Sequence, residues 1–199
     1  VDAMINRRVD AICLAPIDKK AMVSVVDRAA KAGIPVVIFD SPVDTENFVS
    51  QVATDNYAAG AMAAERMGEI LGGKGDVVVA VQPGAASTMA REAGFEETVA
   101  KKFPEIKIVD KRFGMADYAK SRQVAENMLT AFPKVAGVFA SNESSAVGAA
   151  QALKGRTSAG IKMVGFDSSA PLLEDLRKGL IDSLVVQQPF KMGYESVLA

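Results

Sequence analysis

The sequence predicts an α/β protein whose parallel sheets are flanked by helices and divided between two lobes, and three observations carry that expectation. Short runs rich in Val and Ile alternate with amphipathic stretches along the whole chain, the signature of a βαβ series with right-handed crossovers. Two of these runs, IPVVIFDSPV at 34–43 and IKMVGFDSSAP at 161–171, end alike in Phe-Asp and a turn, so a carboxylate follows a strand that reads as buried on both faces. Between them SPVDTENFVSQVATDN, residues 41–56, interrupts the rhythm with a polar turn and a short β-like run, which reads as the chain crossing from one lobe to the other.

Taken in order, VDAMINRRV is helical and starts as though in mid-helix, which implies a preceding N-terminal part. Strands are expected near 10–15, 34–39, 77–82, 106–110, 136–140, 161–166 and 183–187, each a short apolar run bounded by turn residues. Helices fill the intervals, one of them at 56–72. Asp18 is the expected N-cap of KKAMVSVVDRAAKAG and Asp117 that of YAKSRQVAENML, while Gly33 and Gly179 are expected to stop helices. The organisation that follows is a partial N-lobe over 1–54, a C-lobe over 55–187 and a return to the N-lobe over 188–199.

Composition removes several classes of function. The net charge of −1 supplies no basic footprint for nucleic acid or for an acidic membrane surface. There is no histidine, which excludes Ser-His-Asp and Cys-His triads and removes the commonest metal ligand. The single cysteine, Cys13, has no partner for a disulfide within the chain, and inside the apolar run AICLAP it is expected to be a buried, inert thiol. GEILGGKG at 68–75 approaches the phosphate-binding pattern G-x-x-x-x-G-K-[ST]. It offers Gly75 where a hydroxyl is required and follows a helix rather than a strand, so it reads as a helix end entering a turn. No dinucleotide fingerprint or metal-ligand spacing occurs, and neither a cofactor nor a metal is expected. No apolar stretch has the length needed to span a bilayer.

What remains is a set of polar residues at strand ends. In open α/β sheets ligands sit beyond the carboxyl ends of the strands, and those ends carry Asp40, Gln82, Asn142 and Asp167. Each has a plainer account as well: Asp before Ser-Pro or Ser-Ser forms a turn, and Asn142 in FASNESS stands where a helix needs an N-cap. Their coincidence favours a cleft lined by all of them. Arg91 in STMAREAGF lies in the first turns of a helix, where the dipole is already positive, so it needs a partner. That partner is Glu92 or Glu96 in a solvated pair, or a ligand, or Asp40 and Asp167 across the cleft. Carboxylates, amides and one guanidinium suit a neutral polyhydroxylated molecule, because adjacent hydroxyls donate to Asp, accept from Arg and do both with Asn or Gln. Phe166 offers an aromatic face to the C–H groups of such a ring, or is a plain core residue.

Seven stretches stand in a recognisable order: LAPID (14–18), GIPVVIFDSPV (33–43), VATDNYAAG (52–60), AREAGF (90–95), VFASNESSAVGAAQAL (138–153), MVGFDSSAP (163–171) and VVQQPFKMG (185–193). Together they resemble the ribose-type periplasmic sugar-binding proteins of bacterial ABC transporters, over essentially the whole chain. The resemblance implies two Rossmann-like lobes of the type I periplasmic-binding-protein kind, joined by crossing strands and closing over a sugar, with the N-lobe incomplete here. It implies that Asp40, Arg91, Asn142, Asp167 and Gln187 hydrogen-bond sugar hydroxyls, that Phe166 packs beside the ring, and that Thr54, Asp55 and Gln188 form the hinge. It further implies a membrane permease as partner, a periplasmic location with the signal peptide outside this sequence, and binding without catalysis. Two positions depart from the family. Ala15 precedes Pro16 where an amide is usual, and Ala116 stands at the place of a stacking aromatic, with Tyr118 close by. Both argue against ribose itself and for a bulkier or deoxygenated sugar, or another polyol. The family's first strand has no counterpart here, so the strand at 10–15 is expected to bare an edge through which the chain self-associates.

Two other classes compete. The effector domain of a LacI-type repressor shares the fold and the R-x-x-G-F and strand-end Asp motifs, although VVQQPFKMG looks more like the transport proteins. An α/β enzyme using Asp40 or Asp167 as a base is disfavoured by the lack of histidine and of any cofactor fingerprint.

Overall fold

The computed structural model describes residues 1–156 and 160–199. In chain order its elements are α1 (Asp2–Arg7), β1 (Ile12–Leu14), α2 (Val23–Lys31), β2 (Val36–Phe39), β3 (Ser50–Val52), α3 (Asn56–Leu71), β4 (Lys74–Val81) and α4 (Ala86–Lys102). There follow β5 (Glu105–Phe113), α5 (Tyr118–Ala131), β6 (Gly137–Ala140), α6 (Glu143–Lys154), β7 (Lys162–Phe166), α7 (Ala170–Arg177), β8 (Ser183–Val185) and α8 (Pro189–Leu198). They form two compact units, one made of Val1–Asp55, Gly84–Met89 and Gln187–Ala199, the other of Asn56–Pro83 and Ala90–Val186.

In the first unit β1, β2 and β3 lie in that order and run parallel, with Phe39 beside Val52. The β-like run expected between 41 and 56 is therefore a strand of this sheet. Val26 and Ala29 of α2 are buried with Ile12, Ile34, Val36 and Ile38. Gly33 takes φ 75 just past α2, and the Ile34 N–H reaches back to the Ala29 carbonyl, so the glycine ends the helix because a side chain would resist that backbone. The helix begins later than its capping signal indicates. Asp18 spends its carboxylate on the N–H groups of Lys20 and Ala21, at 2.9 and 2.8 Å, in a turn that precedes α2 by one helical turn. Those backbone bonds hold its pKa below the usual carboxylate range. Cys13 also departs from expectation. It is exposed, its Sγ donating to the Ser196 carbonyl at 3.4 Å, because alternation along β1 buries Ile12 and turns Cys13 to the opposite face.

The second unit holds a five-stranded parallel sheet in the order β5-β4-β6-β7-β8. Helices cover both faces, which is why its strands read as unbroken apolar runs. Val78, Ala80, Val138, Ala140 and Met163 face one cluster, completed by Met128 and Leu129 of α5 and by the small residues of α6. Val77, Val79, Val81, Phe139, Val164 and Phe166 face the other, with Met67 of α3 and Phe95 of α4. Here α3 and α4 approach until their backbones touch: a Cβ on Gly60 would lie 1.9 Å from the Arg91 carbonyl oxygen, and one on Gly94 would lie 2.1 Å from that of Tyr57. Only glycine permits that approach, and it sets where the side chains of Asn56 and Arg91 meet. Asp117 caps α5 as the sequence indicates, its carboxylate accepting from the Lys120 N–H. Gly179, at φ 73, follows the end of α7.

Candidate functional site

The polar residues singled out at strand ends in the second unit, Gln82, Asn142 and Asp167, follow the carboxyl ends of its inner strands β4, β6 and β7. Arg91 is buried, 3 % exposed, with its Nε donating to Asn56 Oδ1 at 2.8 Å and its Nη1 to the Ser141 carbonyl at 3.0 Å. Its guanidinium carbon stands 4.5 Å from the centre of the Phe166 ring. A desolvated cation–π contact of this kind contributes about 2 kcal/mol or more. Arg91 therefore pairs with neither Glu92 nor Glu96 in the solvated manner that its sequence neighbours offered. Phe166, read as a wall beside a ligand ring, has no exposed surface. One face lies under Arg91 and the ring meets Phe139 edge-on at 6.1 Å, so its place is beneath the guanidinium.

Asn142 fulfils the plainer of its two readings. Its Oδ1 caps α6 by accepting from the Ser145 N–H at 2.9 Å, while its Nδ2 donates to Gln82 Oε1. Asn142 and Gln82, which lie just beyond β6 and β4, are thus tied to one another. Glu92 sits behind them, 4 % exposed, accepting from the Ser141 hydroxyl at 3.1 Å and the Gln82 N–H at 3.3 Å. Burial pushes its pKa up against the pull of Lys111, whose Nζ is 3.5 Å away, and of those two hydrogen bonds. Burial also opposes the charge of Lys111, yet its bond to Glu96 at 2.5 Å and the nearby Glu92 outweigh this and raise its pKa. Tyr118, half-exposed at the start of α5, donates its hydroxyl to Glu143 at 2.9 Å, a bond that raises its pKa, with a smaller contribution from the charge of Asp167.

Asp40 and Asp167 occupy equivalent places in the two sheets. Each follows the Phe that ends its strand, each has a left-handed backbone, at φ 64 and 71, and each donates its N–H to the last residue of the next strand, Val52 or Val185, at 3.0 and 2.9 Å. Asp tolerates this conformation because its short carboxylate bonds locally. Such backbone positions, costing about 1–3 kcal/mol each, cluster where a fold is shaped for function. Met115 and Ala116, beyond β5, share the left-handed conformation. In the first unit Gln187 is bound to Thr54, whose hydroxyl donates to Gln187 Oε1 at 2.9 Å and lies 3.7 Å from Met192 Sδ. Asp55 and Gln188 are exposed, Gln188 standing at the N-cap of α8. Asp40 and Gln187 belong to the first unit, and Arg91, Asn142, Phe166 and Asp167 to the second.

Sequence reading missed Asn56 and Ser141 and saw Glu92 only as a surface partner. Nothing local marks Asn56, which opens α3 like an ordinary helix-start residue; its contact with Arg91 arises from the glycine-mediated crossing of α3 and α4. Among the described residues no group of three or more acidic or cysteine side chains is placed to hold a metal ion, and no helix is long and apolar enough to cross a membrane.

Comparison with known proteins adds the lineage. The family model described as periplasmic binding protein domain matches residues 1–199. The ribose import binding protein RbsB of Bacillus subtilis is 32% identical over 195 residues, which is 97% of this chain and 62% of that protein. The xylitol-binding protein of Mycolicibacterium smegmatis is 32% identical over 90% of this chain and 52% of its own length. The chain thus spans between half and two thirds of these relatives. Among solved structures, a carbohydrate transporter solute-binding protein from Agrobacterium radiobacter, in complex with D-arabinose, superposes with a TM-score of 0.93 at 35% identity, over 98% of this chain and 68% of that one.

Proposed function

The chain belongs to the periplasmic binding protein domain family, and from that premise we propose that it is part of the solute-binding component of an ABC importer, taking a monosaccharide or related polyol and passing it to a membrane permease. The observation that carries this reading is the buried Arg91, fixed on three sides by Asn56, the Ser141 carbonyl and the Phe166 ring beside the strand ends that bear Gln82, Asn142 and Asp167. A guanidinium held in one plane donates to two adjacent hydroxyls, and a carboxylate accepts from two more. In the second unit the reading assigns contact with the sugar to Arg91, Asn142 and Asp167, with Phe166 supporting Arg91 from beneath; in the first unit it assigns Asp40 and Gln187. The relatives and neighbours whose names state a ligand, ribose, xylitol and D-arabinose, bring a small polyol as the substrate class. Binding proceeds without turnover, and the protein works outside the cytoplasmic membrane.

Thermal unfolding of the intact protein against D-ribose, D-arabinose, D-fucose, D-allose and xylitol tests the reading. A ligand that binds only the folded form adds RT ln(1 + [L]/Kd), about 2.7 kcal/mol at a hundredfold excess over Kd, so at least one of the five raises the midpoint in a concentration-dependent way. A midpoint unmoved by all five, with sugar recovered unchanged, would refute the assignment of substrate class.

A further inference from the structure

The order of the second sheet reverses between β4 and β6: from β4 the chain continues through α4 to β5 on one side, and from β6 through α6 to β7 on the other. At such a switch point the strands part beyond their carboxyl ends and a crevice opens. The last paired residues of β4 and β6 are Ala80 and Ala140, and one further bond joins the Ser141 N–H to the Ala80 carbonyl. Beyond it side chains join the two strands: Asn142 Nδ2 donates to Gln82 Oε1, and Glu92 reaches both ends from α4. Glu92 Oε1 accepts from the N–H of Gln82, the residue after β4, and from the hydroxyl of Ser141, the residue after β6.

We propose that Glu92 is a positioning residue of the sugar site, its buried carboxylate clasping the carboxyl ends of β4 and β6 where the sheet divides. The proposal rests on the sugar-binding reading above. Two of the groups assigned to that side of the site, Arg91 and Asn142, are hydrogen-bonded to residues that Glu92 holds. Ser141, gripped at its hydroxyl, presents its carbonyl to Arg91 Nη1 at 3.0 Å. Gln82, gripped at its N–H, presents its amide to Asn142, and Asn142 follows Ser141 in the chain. Lys111 of the edge strand β5, 3.5 Å from Glu92 and itself bound to Glu96, braces the carboxylate. A carboxylate withdrawn from water is costly unless its partners are well placed. A plain structural filler at this position would be apolar, whereas this one makes two bonds that bridge two strands at the point where a ligand would enter.

The test compares the intact parent protein with Glu92→Gln, which keeps an oxygen acceptor, and Glu92→Leu, which keeps the volume and loses the acceptor. Affinity for D-arabinose and D-ribose is read by calorimetry, and the exchange rate of the Arg91 Nη–H groups by NMR without sugar. The Leu variant loses on the order of tenfold to a hundredfold in affinity, by analogy with the loss when outer partners of a metal ligand are removed, and its Arg91 Nη–H groups exchange faster; the Gln variant recovers most of both. If the parent binds neither sugar while the Leu variant still frees the Arg91 Nη–H groups, the sugar reading is at fault and the positioning role stands. Parental affinity in the Leu variant, or unchanged Arg91 Nη–H exchange, overturns the proposal. Should the Leu variant not fold, Ser141→Ala, which removes the bridging hydroxyl and leaves the carbonyl, takes its place. Unaltered affinity there overturns it equally.

Discussion

The guanidinium carbon of Arg91 stands over the Phe166 ring, 4.5 Å from its centre, a cation resting on a fully buried aromatic ring. Phe166 therefore carries two loads, the apolar cluster of α3 and α4 and the guanidinium. Phe166→Ala is expected to cost about 3–5 kcal/mol in urea unfolding, through lost transfer energy and a residual cavity. It should also weaken sugar binding in the fraction that remains folded. Stability lost with affinity intact would mean that Arg91 holds its place without the ring.

Asn56 offers a cleaner separation of the same support. Its side chain accepts from Arg91 Nε inside the protein, so Asn56→Ala is expected to destabilise by about 1–3 kcal/mol, the cost of leaving a buried donor less well satisfied. Arg91→Lys should be as damaging to sugar affinity, because one ammonium does not span Asn56 and the Ser141 carbonyl as the planar fork does. Calorimetric titration of both variants is the check, and parental affinity in either would count against the fork.

Gly60 tests whether the helix crossing sets the site. A Cβ there would meet the Arg91 backbone at 1.9 Å, so Gly60→Ala must force α3 and α4 apart, at a cost of about 1–3 kcal/mol. Gly155 is the control: φ is −79 and a Cβ would meet nothing within 4 Å, so Gly155→Ala should be neutral or add about 0.4–1 kcal/mol by restricting the unfolded chain. Equal urea midpoints for the two variants would show that the crossing yields without penalty.

The buried Glu92 makes stability depend on pH. Burial raises its pKa above the ordinary glutamate value, and a carboxyl of that kind contributes stability that is complete below the unfolded value and lost as pH rises through the folded one. Glu92→Gln removes this titration, while Lys111 and Glu96 remain. Across the window from the ordinary value upward, the Gln variant should gain on the parent as pH rises. A difference that stays constant, or that runs the other way, would show that Lys111 and the two hydrogen bonds hold Glu92 as a carboxylate through the whole range.

Among the described residues β1 pairs with β2 alone, at the edge of its sheet. Exposed strand edges pair with other chains, and Cys13 on this edge is an exposed reporter. The 199-residue chain is expected to react readily with a thiol reagent when dilute and more slowly as concentration rises and association covers the strand. Sedimentation showing a monomer throughout, with constant Cys13 reactivity, would rule the edge out as a contact.

How far the sequence carries can be judged residue by residue. Alternation of Val-rich runs with amphipathic stretches determined the parallel sheets, and the two Phe-Asp endings marked Asp40 and Asp167 because hydrophobic patterning and turn chemistry are local properties. The seven ordered motifs identified the family. Local signals misled where local partners competed: Asp18 formed a turn in place of a cap, and Cys13 fell on the outward side of a three-residue strand whose face no pattern specifies. The equivalence of the two Asp residues, down to the left-handed backbone and the N–H bonded to the neighbouring strand, needed the strand pairing to become visible. The setting of Arg91 was decided by tertiary structure alone. Its partners lie 35 and 50 residues away, brought together by a crossing that two glycines permit and a sheet that divides between β4 and β6. Contacts of that range depend on which backbones can touch, a property of packed elements that no stretch of sequence expresses by itself.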